Sequence, residues 1–302
     1  MRSPPPTSWR RPSTRTAWRR SWRNGLRRSA RPEPGRYPYL DNRAGTEPGL
    51  LPLALAHRGF SPDGGENTMA AFGRAVDLGF RYLEIDVRAS SDGVVMVFHD
   101  EDLDRVTDAH GPIARRSASD LSGLSVGGHG GIPTLEAVLL RWPDLRLNID
   151  IKSDDCVRPF AELVNRLSAH DRVLVASFSD RRRRAVLRLL ERPTASSAGM
   201  AVNTLLKLLA PLGLAGPVAR IAGVQALQVP ETYRGVRVVT RRFLRSCRAG
   251  GLQVHVWTIN ERAEMDRLLD LGVDGLVSDD ADVLADCMAA RSAWPQGSPR
   301  DR

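Results

Sequence analysis

Two histidines stand at the ends of apolar, β-rich runs early in this 302-residue chain: His57 closes residues 53–57, and His99 closes residues 94–99. Cleavage of a phosphodiester needs one group to take a proton from the nucleophile and another to give a proton to the leaving oxygen. A single histidine is more often structural than catalytic. Two histidines at neighbouring strand ends, each followed by a charged residue, favour catalysis, and we predict His57 and His99 as an acid–base pair.

Acidic residues accompany these histidines at strand ends. Glu84 and Asp86 are two positions apart on one predicted strand, as are Asp150 and Lys152 on another, so each pair faces one side of its strand. Buried carboxylates are costly without a positive partner. Glu84, Asp86 and Asp150 therefore predict an oxygen-rich site for Mg²⁺, Ca²⁺ or Mn²⁺. The alternative is an ion-pair network of these acids with Arg58 and Lys152.

The basic residues of the same strand ends suit an anionic substrate. Arg58 can bind phosphate with two donors and Lys152 as a point charge. Glu66 lies in a glycine-rich loop, Gly64 to Thr68, which opens a helix with Asn67 or Thr68 as its N-cap. A role for Glu66 in substrate binding and a plain helix start remain two equal interpretations of this loop.

The other histidines carry weaker signals. His110, His129 and His170 lie in predicted loops or at a helix end, and we expect them to be exposed to solvent. His255 lies inside an apolar run, which favours a hydrogen-bonded position in the core over a catalytic one.

The elements that must position these residues alternate between strands and helices, the pattern of a parallel sheet covered by helices. Nine strands are predicted, at residues 53–57, 82–87, 94–99, 145–151, 173–178, 196–200, 226–229, 254–258 and 275–278. Helices are predicted at residues 68–78, 134–142, 159–169, 181–191, 204–210, 240–249 and 263–271. The fold class is α/β, a (β/α)8 TIM barrel, so one of the nine strands must lie outside the barrel. Active sites of such barrels lie at the carboxyl ends of the strands.

A polar, glycine-rich segment at residues 101–133 breaks this alternation. Long insertions in compact domains are usually lids or binding loops. We therefore predict a small inserted segment after the third strand, within a barrel domain of residues 37–290. Residues 291–302 are predicted as a flexible C-terminal tail.

The formal charge of +9 is concentrated at the N-terminus, where residues 1–36 contain eleven Arg and one acid, Glu33. This proline-rich segment is predicted to be disordered. Three interpretations stay open: a start upstream of the one used in the cell, a solvated tail, or a polyanion-binding arm containing Trp9, Trp18 and Trp22. The rest of the chain carries about −1, so we expect no nucleic acid to bind the barrel.

The chain has no secretory signal pattern and no apolar run long enough to span a membrane. Its three cysteines are widely spaced, which gives neither a disulfide framework nor a zinc-ligand pattern. A cytoplasmic location is therefore expected.

Several blocks occur in an order that resembles one known family. The blocks are His57-Arg58-Gly59, Glu66-Asn67-Thr68, Glu84-x-Asp86, His99-Asp100, Asn148-Ile149-Asp150-Ile151-Lys152, Val256-Trp257-Thr258-Ile259-Asn260 and Gly272-Val273-Asp274-Gly275. Over residues 53–282 they resemble the glycerophosphodiester phosphodiesterases.

This resemblance implies a metal-dependent hydrolysis of glycerophosphodiesters to glycerol 3-phosphate and an alcohol, with bound Mg²⁺ or Ca²⁺. It assigns proton transfer to His57 and His99. By the same resemblance the metal is held by Glu84, Asp86 and Asp150, and the phosphate by Arg58 and Lys152. Attack by the neighbouring glycerol hydroxyl would give a cyclic phosphate that water then opens.

Two positions depart from the family pattern: Gly65 replaces the usual Pro, and Asp150 stands where many members have Glu, a longer side chain. The second departure bears on which metal binds and how tightly. Two other functions remain as alternatives. One is a related barrel phospholipase acting on lysophospholipids or phosphoinositides, which a long apolar groove would mark. The other is a non-catalytic binder of phosphate ligands.

Overall fold

The computed structural model describes residues 37–41 and 51–294. The strands of this part are β1 (Leu53–His57), β2 (Tyr82–Ala89), β3 (Val95–Val97), β4 (Arg146–Ile151), β5 (Val173–Ala176), β6 (Ala195–Ser196), β7 (Ala226–Pro230), β8 (Thr232–Tyr233), β9 (Val236–Arg237), β10 (Gln253–Trp257) and β11 (Gly275–Ser278). The helices are α1 (Met69–Asp77), α2 (Ala118–Ser122), α3 (Leu135–Arg141), α4 (Val157–Arg166), α5 (Asp180–Leu189), α6 (Met200–Leu209), α7 (Ala215–Ala222), α8 (Arg241–Ala249), α9 (Arg262–Leu271) and α10 (Ala281–Ala289).

Eight of these strands form a parallel barrel. They pair in the order β6, β5, β4, β2, β1, β11, β10 and β7, and each neighbouring pair is parallel. A parallel bridge between Ser197 and Ala226 links the two ends of this order. The predicted TIM barrel is therefore confirmed.

Helix starts follow the capping residues that the sequence offers. The hydroxyls of Thr68, Thr134, Ser179 and Thr240 each accept a hydrogen bond from the backbone N–H three residues later. Such caps satisfy backbone donors that the first turn leaves free. They fix the starts of α1, α3, α5 and α8, close to the predicted positions.

The strand outside the barrel is the third one. β3 pairs with β2 in antiparallel fashion, Val87 opposite Val97. Its three residues are all buried, so periodicity alone could not distinguish it from a barrel strand. The inserted segment follows it, as predicted. Five buried residues of the segment, Leu103, Ile113, Leu121, Val126 and Ile132, form a small separate core with Met96 and Phe98.

Other element predictions need correction around β6 and at three helices. The strand predicted at residues 196–200 is shortened to Ala195–Ser196, and helix α6 begins at Met200 instead of Thr204. Helices α2, α7 and α10 were not predicted. Helix α7 contains Gly216 and Pro217, which weaken the sequence signal of a helix.

The barrel interior is filled with side chains. Leu53, Leu55, Tyr82, Leu174, Ala195, Ala226 and Val277 belong to one buried cluster. A short 3₁₀ helix, Pro38–Leu40, covers the end of the barrel where the strands begin. The Tyr82 hydroxyl donates to the Tyr39 carbonyl, and the Gln253 side chain donates to the Leu40 carbonyl. In the described part of the chain, the carboxyl ends of the strands form the opposite mouth of the barrel.

The packed domain extends beyond the predicted boundary at residue 290. The Trp294 ring packs against Phe80 with ring centres 4.7 Å apart, and its Nε1 donates to the Leu78 carbonyl. Arg291 pairs with Asp266 and Asp270. The tail predicted at residues 1–36, and the C-terminal tail from residue 295, lie outside the described residues. Among the helices of the described part, none is long and apolar enough to cross a membrane.

Candidate active site

The carboxyl ends of neighbouring strands bring most of the predicted site residues together. His57 on β1 lies opposite Glu84 on β2, and Asp86 on β2 lies opposite Asp150 on β4. Glu84, Asp86 and Asp150 are all buried. Because Glu84 and Asp86 alternate with apolar residues that pack outside the barrel, their side chains point inward, as predicted.

His57 is held by a carboxylate from the other end of the chain. Its Nδ1 lies 2.6 Å from Asp279 Oδ1, while its Nε2 lies 3.6 Å from Glu84 Oε2. Asp279 is fixed in turn by Asn260, whose side-chain amide donates to Oδ2 at 3.0 Å. Burial alone would lower the pKa of His57, but the hydrogen bond to Asp279 and the charge of Glu84 raise it above its usual value.

His99 is held in the same way. Its Nδ1 lies 2.6 Å from Asp100 Oδ1, and Arg105 donates from Nε to the other oxygen of Asp100 at 2.5 Å. Each histidine therefore has Nδ1 occupied by a carboxylate, which leaves Nε2 for chemistry. The insertion supplies Arg105, so the inserted segment takes part in the site.

His99 reaches the site by a route other than the predicted one. It follows β3, which is antiparallel to β2, so the rule for parallel strand ends does not apply to it. The chain returns toward the mouth instead: the Phe98 N–H donates to the Asp86 carbonyl, and Arg88 donates to the His99 carbonyl. His99 is therefore placed beside Asp86 by a hairpin.

Asp86 is the most fully paired of the three carboxylates. Lys152 Nζ lies 2.9 Å from its Oδ1, and Arg58 Nε lies 3.0 Å from its Oδ2, to which Asn67 also donates. Burial would raise the pKa of Asp86, but the charges of Lys152 and Arg58 keep it below its usual value.

Glu84 and Asp150 are incompletely paired. Glu84 Oε2 and Asp150 Oδ1 are buried without a hydrogen-bond partner, although Asp150 Oδ2 accepts from Lys152 Nζ at 2.7 Å. Burial raises the pKa of both acids, helped for Glu84 by the neighbouring Asp86 charge, and the pKa of Glu84 reaches about 8. Unpartnered carboxylate oxygens inside a protein call for a proton, a water or a cation.

The three predicted ligands fit a divalent cation only in part. Glu84 and Asp150 each offer a free oxygen, whereas both oxygens of Asp86 are engaged by Lys152, Arg58 and Asn67. Among residues 37–41 and 51–294, no group of three His, Cys, Asp or Glu side chains is already arranged around a common point. To join Glu84 and Asp150 as a ligand, Asp86 would have to give up contacts with these basic and amide groups.

Glu66 lies at the rim and joins the two arginines of the site. Its Oε1 accepts from Arg58 NH1 at 2.8 Å and from Arg105 NH2 at 2.6 Å. These bonds lower the pKa of Glu66 in spite of its partial burial. The residue is therefore more than a helix start, because it orients Arg58.

Several site residues were missed in the sequence: Asn67, Asp100, Arg105, Asn260 and Asp279. The signal for Asp279 was present, since it directly follows the predicted strand 275–278, as polar residues follow the other barrel strands. Arg105 had no such signal, because it lies in an irregular loop.

The remaining histidines in the described part of the chain form hydrogen bonds with groups outside this cluster. His255 is fully buried, with Nε2 3.1 Å from Gln253 Oε1, as predicted for a core residue. His110 is exposed, and His129 is half-buried. The expectation for His170 was wrong: it is buried beside Asn165, to whose Oδ1 its Nε2 is bonded at 2.9 Å.

A cavity of about 160 Å³ opens beside Asp150, on the side of β5, β6, β7 and β10. Its lining is mostly apolar and includes Ala176, Phe178, Ala198, Met200, Val229, Pro230, Tyr233, Val238, Phe243 and Trp257. The Lys152 ammonium lies 5.5 Å from the centre of the Phe178 ring, which joins this cavity to the charged cluster.

Comparisons with known proteins agree on one family. The sequence matches the model described as the glycerophosphoryl diester phosphodiesterase family over residues 57–283. It is 42% identical over 247 residues to the Mycobacterium tuberculosis protein named probable glycerophosphodiester phosphodiesterase 2, covering 80% of this chain and 92% of that protein.

Solved structures share the fold. A glycerophosphodiester phosphodiesterase from Agrobacterium tumefaciens superposes with a TM-score of 0.66 at 25% identity, covering 79% of this chain and 100% of that one. A phosphodiesterase from Oleispira antarctica, solved in complex with its product sn-glycerol 3-phosphate, also gives a TM-score of 0.66, at 23% identity over 79% of this chain and 97% of that one. The residues matched by the family model, 57–283, include every predicted site residue.

Proposed function

Since this chain belongs to the glycerophosphoryl diester phosphodiesterase family, we propose that it hydrolyses glycerophosphodiesters to glycerol 3-phosphate and an alcohol, with His57 and His99 transferring the protons. One observation carries the roles of the histidines: both have Nδ1 anchored by a carboxylate at the mouth that also holds Arg58 and Lys152. The relative at 42% identity is named for this activity, so the chain is an enzyme and not a non-catalytic binder.

The anchored histidines account for the two proton transfers. A carboxylate at Nδ1 holds the ring in one tautomer and stabilises its protonated form, while Nε2 accepts or donates the proton. One histidine takes the proton of the attacking glycerol hydroxyl, and the other gives a proton to the leaving alcohol. The same pair then opens the cyclic phosphate with water, in exchanged roles.

The basic residues hold the phosphate during these steps. Arg58 is oriented by Glu66 and Asp86, and Lys152 by Asp86 and Asp150. Fixed cations of this kind stabilise the charge that develops on the phosphate oxygens without having to reorganise.

We further propose that Glu84, Asp86 and Asp150 hold a divalent cation, Mg²⁺ or Ca²⁺, with Mn²⁺ as a third candidate. The unpartnered oxygens of Glu84 and Asp150 support this assignment. So does charge, because three ionised carboxylates beside Arg58 and Lys152 leave a negative charge. A cation would offset that charge in place of the proton that the raised pKa of Glu84 indicates. When bound, the ion would polarise the phosphoryl group and stabilise its developing charge.

A second candidate is hydrolysis of lysophospholipids by the same site. The apolar cavity beside Asp150 favours it, because a small polar alcohol such as glycerol gains nothing from an apolar wall. The chemistry at phosphorus would be unchanged. The glycerol that carries the attacking hydroxyl would bear an acyl chain, so that the headgroup alcohol leaves and the product is an acylglycerol 3-phosphate.

The proposal is tested with a panel of glycerophosphodiesters and lysophospholipids in the presence and absence of a chelator. Glycerol 3-phosphate is measured for the first class of substrate and acylglycerol 3-phosphate for the second. We expect His57→Ala and His99→Ala each to abolish turnover, while His129→Ala keeps it, because the His129 ring bonds the Asp63 carbonyl and no residue of the cluster. Equal activity of the three variants would reject the roles of the histidines.

The metal proposal has a separate readout. Titration calorimetry of the chelator-treated protein with Mg²⁺ or Ca²⁺ should show binding that the variant Glu84→Gln, Asp150→Asn loses. Unchanged binding in that variant would place the ion elsewhere.

A further inference from the structure

Helix α6 and the turn after it expose a row of leucines. Leu205, Leu208 and Leu212, which we call the leucine ridge, recur at intervals of three and four residues, and Leu208 and Leu212 are 65% and 68% exposed. The face of α6 that packs on the barrel is also apolar, since Val202 and Leu206 are buried. A helix that is apolar on its solvent side marks an interaction surface more often than a free one.

The charge around the leucine ridge is of one sign. Residues 198–250 contain eight Lys and Arg and a single acid, Glu231, although the chain from residue 37 onward is close to neutral. Helix α8 carries Arg241, Arg242 and Arg245 on exposed positions. It lies directly beside the ridge, because Arg242 donates to the Pro211 carbonyl and Ser246 to the Ala210 carbonyl.

Helix α6, which carries most of the leucine ridge, also lines the cavity of the site. Met200, Asn203, Thr204 and Lys207 form the stripe of α6 that faces the cavity, and the leucine ridge lies on the next stripe outward. Around the cavity, Phe178, Met200 and Tyr233 are each about half exposed. The mouth of the cavity therefore exposes apolar side chains on the same side of the molecule as helix α6.

We propose that this face, formed by the leucine ridge and the arginines of α8, docks on an anionic lipid surface. Exposed leucines next to a basic border match the two components of such a surface, an apolar interior and negatively charged headgroups.

Other occupants fit the face less well. A second copy of the chain in a two-fold dimer would bring the same arginines opposite each other, which is repulsive. The Arg-rich residues 1–36 carry the same sign of charge and would be repelled likewise.

Docking in this orientation would turn the cavity toward the lipid. The consequence for the substrate rests on the proposed function: glycerophosphodiesters with an acyl chain could pass from the surface into the cavity, with the phosphate reaching Arg58 and Lys152. Water-soluble glycerophosphodiesters would still enter without docking.

The test is cosedimentation of the full chain with phosphatidylcholine vesicles, with and without phosphatidylglycerol. We expect binding only to the anionic vesicles, and a loss of about tenfold or more in the partition coefficient for the triple variant Leu205→Gln, Leu208→Gln, Leu212→Gln. The matched control is Leu140→Gln with Leu189→Gln, which removes exposed leucines from other helices and should bind like the natural chain. All variants keep residues 1–36, so binding by that segment is the same in each.

Charge is tested in the same assay. Arg241→Gln with Arg245→Gln should weaken binding, whereas Arg184→Gln with Arg188→Gln, two exposed arginines of α5, should not.

Turnover of glycerophosphocholine by the ridge variant should equal that of the natural chain, which separates this proposal from the proposed function. Vesicle binding that is absent, or equal in the ridge variant and its control, would overturn the proposal. A dimer that the ridge substitutions dissociate would assign the face to a second copy and would overturn it as well.

Discussion

At the scale of single residues, the site combines two histidine–carboxylate pairs with a cluster of three buried carboxylates. Asp279 and Asp100 each accept from Nδ1 of a histidine, and each is itself held by a further side chain, Asn260 or Arg105. A buried ring without such a partner could rotate or shift its proton to the other nitrogen. We therefore infer that Asp279 is a positioning residue for His57.

Replacing Asp279 with Asn should lower kcat about 100-fold or more, with little change in KM, because the amide no longer stabilises the protonated His57 ring. Loss of the carboxylate also removes a cause of the raised pKa of His57, so the limb of the pH–rate profile assigned to His57 should move to lower pH. Steady-state kinetics across pH measure both effects. Asp286→Asn, an exposed acid on α10, serves as the control, and a full-rate Asp279→Asn enzyme with an unshifted profile would refute the role.

At the scale of elements, the loop from β1 into α1 determines where Arg58 and Glu66 lie. Gly59 has φ +87°, and a Cβ placed on it would lie 2.8 Å from the backbone carbon of Ala71 in α1. The strand and helix can approach this closely only because residue 59 has no side chain. The packing of α1 on β1 and the geometry of the loop that carries Arg58 and Glu66 therefore depend on the same glycine.

Substituting Gly59 with Ala should cost more stability than substituting Gly93, which has a similar φ of +76° but open space at the Cβ position. We expect Gly93→Ala to lower the free energy of unfolding by about 1 kcal/mol from backbone strain alone. Gly59→Ala adds a clash with the α1 backbone and should cost at least about 2 kcal/mol. Urea unfolding of both variants measures the two losses in the free energy of unfolding. Equal losses would mean that α1 shifts away from residue 59 at no cost in stability.

At the scale of the whole molecule, the barrel interior contains a histidine that must stay neutral. His255 is fully buried, and burial lowers its pKa to about 4. In the unfolded chain the residue takes up a proton near pH 6.5. Its contribution to stability is therefore complete above pH 6.5 and is lost as the pH falls toward 4.

From this residue alone, the free energy of unfolding should be about 2 kcal/mol lower at pH 5 than at pH 7.5. In His255→Gln the difference between the two pH values should shrink by that amount, even if the variant is less stable overall. Denaturant titrations at both pH values measure it, with His110→Gln on an exposed loop as the control. An unchanged pH difference in His255→Gln would contradict a neutral, buried His255.

The sequence alone was enough to predict the barrel and most of the residues at its mouth. Alternation of β-rich runs with helical periods requires a parallel sheet, and the carboxyl ends of parallel strands meet at one mouth. His57, Glu84, Asp86 and Asp150 could therefore be placed together from their positions at strand ends. Local patterns also gave the helix starts at Thr68, Thr134 and Thr240, because an N-cap acts within three residues of its own position.

The tertiary structure alone decided the contacts between distant parts of the chain. No local pattern encodes whether a strand pairs with its neighbour in parallel or antiparallel fashion. In the folded chain, residues 95–97 pair antiparallel to β2, and the resulting hairpin brings His99 to the mouth of the barrel. The bond between His57 and Asp279 joins positions 222 residues apart, and Arg105 meets Glu66 across 39. The leucine ridge was equally hidden, since the sequence shows that Leu205 and Leu208 are apolar but only packing decides which side of a helix is covered.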